Sequence, residues 1–148
     1  MKAYKLIYVI LSLFIFAPVV FAQDVDNEIS IEDAMKVFCG TWLADGYAGT
    51  EKDIWNLDGT YELYTKKTDA VPHATGTFKI KKAWLDKEGN IWLKVFRSFI
   101  MGDIWILNKI SNDGSVLEPC TYFVPENAPT KISDDRCMFS FRYIKKEN

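Results

Sequence analysis

The chain has 148 residues, 49% of them hydrophobic, with 18 basic against 20 acidic side chains. That slight acidic excess argues against nucleic acid, whose binders present basic faces, and a single histidine beside three cysteines is a poor donor set for a metal. The length suits one domain with a real core rather than two.

The first 22 residues stand apart. "MKAYK" carries two lysines, "LIYVILSLFIFAPVVF" (6–21) has no charge, and Val20-Phe21-Ala22 puts small residues at the two positions that signal peptidase reads. Basic, apolar, then small-x-small is the plan of a secretory signal peptide. The apolar run is short for a bilayer span, and Pro18 interrupts it. Cleavage after Ala22 would leave residues 23–148 with 16 basic and 20 acidic side chains, in the periplasm or outside the cell. Nothing after Ala22 reads as a membrane span.

Residues 23–29 read as a flexible N-terminus and 30–148 as one domain. "SIEDAMKVF" (30–38) has a helix signature: Ser30 caps, Asp33 follows three residues later, and Ile31, Ala34, Met35 and Phe38 form one apolar stripe. Everything after Cys39 reads as short strands and tight turns: "TWLAD", "KDIWN", "YELYTK", "TGTFKIKKAW", "IWLKVFRSF", "IWILNKI", "VLEPCTYFV" and "CMFSFRYI". "LDGT" (57–60), with Asp-Gly at its centre, predicts a type I′ hairpin. The longest gap, "PENAPTKISDD" (125–135), precedes the last strand. Tyr61 and Leu63, Phe78 and Ile80, and Phe139, Phe141 and Tyr143 each share one face of an alternating strand. "IWLKVF" and "IWIL" are apolar on both faces. About eight sequential antiparallel strands solve their edge problem by closing into an up-and-down barrel, which at that size is filled by side chains or holds one small ligand.

Gly40-Thr41-Trp42, directly after the helical run, resembles the Gly-x-Trp signature of the lipocalins and the wider calycin group, and the compact bacterial lipocalin-like domains in particular. The resemblance covers most of 30–144 in element order; the Thr-Asp-Tyr motif of the family is absent, with Thr121-Tyr122 at most a remnant. It implies a short helix plugging one end of the barrel, Trp42 packed beneath it, and an arginine of the last strand, Arg142, laid across the indole. Gly40, Trp42 and Arg142 are thus the expected structural residues.

Export implies an oxidising compartment, so the cysteines suggest one disulfide and one thiol. A last hairpin pairing Cys120 with Cys137 and Tyr122 with Asp135 favours a Cys120–Cys137 bridge with Cys39 free; the rival is Cys39–Cys137, across neighbouring first and last strands. His73, after a proline in a loop, reads as solvated, and no nucleophile–base pair, phosphate loop or cofactor motif is apparent. The expectation is a non-enzyme without a cofactor: an exported binding protein holding a small hydrophobic molecule against Tyr61, Leu63, Phe78, Ile80, Phe139 and Phe141. The alternative is an exported inhibitor or accessory factor for a protein partner, with a filled barrel that presents Trp92 and Trp105.

Overall fold

The computed structural model describes residues 27–46, 48–99, 102–123, 128–132 and 134–147; the leader read over 1–22, residues 23–26, and parts of the loops at 100–101 and 124–127 lie outside them. The first described residues are already ordered by pairing. Asn27–Glu28 (β1) lie opposite Leu85 and Trp84, and the Ile29 N–H donates to the Ala83 carbonyl at 3.1 Å. The reading of 23–29 as flexible therefore fails for 27–29, because an open strand edge lies within reach of their backbone.

Ile31–Phe38 forms the helix (α1). The Asp33 N–H donates to Ser30 Oγ at 3.0 Å, and the Ser30 hydroxyl donates to the Asp33 carboxylate at 2.7 Å. Ala34 and Phe38 are completely buried, whereas Ile31 at the start of the stripe is exposed.

Nine strands follow among the described residues: β2 (Gly40–Ala44), β3 (Lys52–Trp55), β4 (Thr60–Tyr64), β5 (Ala74–Leu85), β6 (Ile91–Ser98), β7 (Ile104–Ile110), β8 (Val116–Tyr122), β9 (Phe139–Ser140) and β10 (Tyr143–Lys145). The ladder runs β5-β4-β3-β2-β10-β8-β7-β6 and closes through β5–β6, giving an eight-stranded antiparallel barrel. β9 and β10 share one register on β8, with Cys120 opposite Ser140 and Leu117 opposite Tyr143. The break between them falls opposite Pro119, which has no N–H to donate. One sequence-expected strand is thus split by a neighbour's proline.

The 57–60 turn is not type I′. That type needs positive φ at both central residues, and among the described residues only glycines have it. Instead the Gly59 N–H donates to the Asn56 carbonyl at 3.0 Å and Gly59 itself takes φ 85°, a type I turn completed by a left-handed glycine. The turns ending at Gly89 and Gly114 repeat this pattern.

The disulfide is Cys120–Cys137, with Cα atoms 5.1 Å apart, and Cys39 is free. The expected register is displaced by three residues: Cys120 pairs with Ser140, and Cys137 reaches it from the turn before β9. The bridge holds Cys137, and with it Ala128 and Ile132, against the outside of the barrel. There Leu107, Cys120 and Tyr122 are buried under Ala128, Ile132 and Cys137, beside Trp84, Trp92 and Trp105. This external layer explains why "IWIL" is apolar on both faces: one face lines the barrel and the other lies beneath the chain's own loop. Among the described residues no helix is long and apolar enough to cross a membrane.

Candidate ligand-binding cavity

Two carbonyls at the C-terminus of α1 lack helical partners, as at any helix end, and the barrel supplies donors for both. The Trp42 indole N–H donates to the Phe38 carbonyl at 2.8 Å, and Lys145 Nζ donates to the Val37 carbonyl at 2.5 Å. The Lys145 ammonium also lies 5.2 Å from the Trp42 ring centroid, a cation–π contact. First and last strands are neighbours, as a closed barrel requires, with Lys145 directly opposite Trp42. The cation on Trp42 is therefore Lys145 and not Arg142. Strand parity decides this: Phe141, Tyr143 and Lys145 turn inward, so Arg142 turns outward, where it meets Asp45 at 3.4 Å in solvent. Gly40 has φ 134°, and a Cβ there would come within 3.2 Å of the Lys145 stem. Glycine, tryptophan and lysine together seal this end.

Above the seal the interior is packed with rings. Phe38 lies 4.8 Å from Trp55 and 5.6 Å from Phe78, while Trp55 lies 5.0 Å from Phe78 and 5.5 Å from Tyr61. Tyr61, Phe78 and Ile80, expected to touch ligand, belong to this filled half together with Ala83, Leu93 and Ile110. The Tyr61 hydroxyl donates to the Ser98 carbonyl at 2.9 Å. Alternation assigns these residues correctly to the interior, but the rings brought by α1 occupy the space they face.

The other half is hollow. A cavity of about 490 Å³ opens above Trp55, within the range of small-molecule sites. Leu63, Phe139 and Phe141 of the expected set do line it. Ile104, Ile106 and Leu117 add aliphatic wall, and Phe123 and Phe139, each more than half exposed, bring apolar rings to solvent.

Asp53, Trp55, Arg97 and Asn108, none of them in the expected ligand set, also face the hollow. Asp53 is 8% exposed, Trp55 3% and Asn108 1%. Asp53 Oδ1, Trp55 Nε1, Arg97 Nε and Asn108 Nδ2 are all buried without a hydrogen-bond partner. Burial pushes the Asp53 carboxyl up to about 7, with Arg97 opposing, and burial holds the Arg97 guanidinium below its usual range. The Arg97 guanidinium carbon lies 5.0 Å from the Tyr61 ring and 5.8 Å from the Phe99 ring. The Tyr143 hydroxyl donates to the Thr50 carbonyl at 3.1 Å, and burial raises that phenol well above its ordinary value. The missed signal was parity: Asp53 and Trp55, Leu93, Val95 and Arg97, and Ile104, Ile106 and Asn108 each share an inward face, so each polar residue interrupts an apolar set.

His73 is exposed in the β4–β5 loop. Trp92 donates to Asp86 at 2.7 Å and stacks on Trp84 at 6.1 Å, and Trp105 packs edge-on against Phe96 at 5.2 Å. Compared with protein-family models, curated proteins and solved structures, the chain matches none.

Proposed function

We propose that this is an exported lipocalin-like binding protein, not an enzyme, that holds a small, largely hydrophobic molecule in the open half of its barrel. The observation that carries the reading is the 490 Å³ apolar hollow left above a ring-packed floor. Natural cores are packed densely, so a void of this size in so small a barrel is a site rather than a packing defect. Export is supported by the leader-like N-terminus and by a disulfide, a bond that persists in oxidising compartments. The alternative, a solid barrel offering Trp92 and Trp105 to a protein partner, has less support, since both rings are half-buried against their neighbours.

Nile red, a neutral apolar dye, tests the binding reading. Saturable 1:1 binding is expected, and Ile106→Trp, which fills the hollow from β7, should abolish it while the fold survives by circular dichroism. Absence of saturable binding, or binding indifferent to the filled cavity, would sink the proposal. For export, N-terminal sequencing of protein from the native host should begin at Gln23; an intact Met1 would contradict it.

A further inference from the structure

We infer that the ligand is an amphipathic monoanion, with an apolar body and a carboxylate or similar acceptor-rich head received by Arg97, Asn108 and Trp55. This rests on the reading of the hollow as a ligand site. The inference comes from the kind of groups left unsatisfied. Arg97 Nε, Asn108 Nδ2 and Trp55 Nε1 are buried donors without acceptors, and all three residues line the cavity. A buried donor left unpaired is costly, and three in one hollow, against the single unpartnered acceptor Asp53 Oδ1, call for a partner richer in acceptors than in donors. A carboxylate is such a partner, with two oxygens able to accept several hydrogen bonds.

Charge points the same way. Among the described residues Arg97 makes no ion pair within 4.0 Å; its guanidinium lies by the Tyr61 and Phe99 rings, with Asp53 close enough to act on it electrostatically. Asp53 is the acid that shares the cavity, and burial raises its carboxyl to about 7, so that it is mostly protonated at mildly acid pH. In that form it adds a donor rather than a competing charge. The hollow then holds one uncompensated cation, and an anionic head in a low-dielectric site forms strong charge-assisted bonds with it. The rest of the wall, Leu63, Phe99, Ile104, Ile106 and Leu117, suits an alkyl or aryl body.

Calorimetric titration of the full mature chain with decanoate and with 1-decanol, at about pH 6 where Asp53 is neutral, tests this. The two probes share a body and differ in the head. Decanoate should bind at least about tenfold more tightly, and Arg97→Met should erase that preference. Equal affinity of the two probes for the unaltered protein would overturn the anionic head and leave the hydrophobic site standing. Failure of both to bind would overturn the site itself. Because the probe comparison needs no variant, a misfolded Arg97→Met would not blur the outcome.

Discussion

Asp53→Asn should change how the stability of this barrel depends on pH. Asp53 is enclosed by the cavity wall, and burial raises its carboxyl from the ordinary 3.8 to about 7, against the opposing pull of Arg97. The titratable groups coupled to it are Arg97 from β6, a guanidinium that does not deprotonate in proteins, and Tyr143 from β10, whose phenol burial raises above its ordinary value. Between about pH 4 and about pH 7 the folded chain holds a proton that the unfolded chain has released. Stability changes with pH as the protons bound by the unfolded state minus those bound by the folded state, so it falls as pH rises from about 4 and stops falling above about 7. The distance from 3.8 to about 7 corresponds to roughly 4 kcal/mol, of which about 2–3 kcal/mol lies between pH 5 and pH 8. The amide of the Asp53→Asn variant does not titrate, and other groups contribute equally to both proteins. Urea unfolding at pH 5 and pH 8 should show the unaltered protein losing about 2–3 kcal/mol relative to the variant. A relative change below about 0.5 kcal/mol would mean that Asp53 is ionised or hydrated in the fold, and would remove the charge argument for an anionic ligand.

Gly76→Ala should destabilise by about 1–3 kcal/mol in urea, because a Cβ would stand 2.6 Å from the Ser98 carbonyl and 2.7 Å from the Tyr61 hydroxyl, and the former is backbone that cannot swing away. Lys145→Met should cost about 1–2 kcal/mol through the lost carbonyl bond and the Trp42 contact, whereas Arg142→Met, on an exposed pair, should cost under about 0.5 kcal/mol; the reverse order would restore the arginine to the seal. Replacing both Cys120 and Cys137 by serine should cost about 3 kcal/mol for a sequence separation of 17 and expose the outer tryptophans to collisional quenchers. Cys39 should react slowly with iodoacetamide at about pH 8, since burial pushes its thiol up to about 11; rapid alkylation in the folded protein would contradict that burial.

The barrel was legible because each local signal agreed with the next. Turn glycines spaced the strands, alternation assigned their faces, and a closed meander was the arrangement that left no edge. What failed were details set by a neighbouring strand. The split of the last strand depends on Pro119 across the ladder, and the 57–60 turn type depends on a φ that Asp58 does not adopt. The cation on Trp42 could have been found. Phe139, Phe141 and Tyr143 already fixed the inward parity, and Lys145 is the next residue on it.

The site was less legible because period-two alternation says which way a side chain points and nothing about its height in the barrel. Tyr61 and Leu63 are one inward step apart on β4, yet Tyr61 lies among the plug rings and Leu63 faces the hollow. The boundary between them is set by how far Phe38 reaches in from α1, a tertiary length that no strand encodes. Trp55 marks that boundary: its ring lies against Phe38 and Phe78, the residue lines the cavity, and its buried N–H has no partner. Polar residues on an inward face carry the information that apolar ones cannot. In the packed half they would be excluded by desolvation cost, so Asp53, Arg97 and Asn108 could be tolerated only where the interior stays open to water or to a ligand. The interruptions in the apolar pattern therefore locate the hollow, and their chemistry, three unpartnered donors and an acid whose carboxyl burial raises to about 7, is what the proposed anionic ligand would meet.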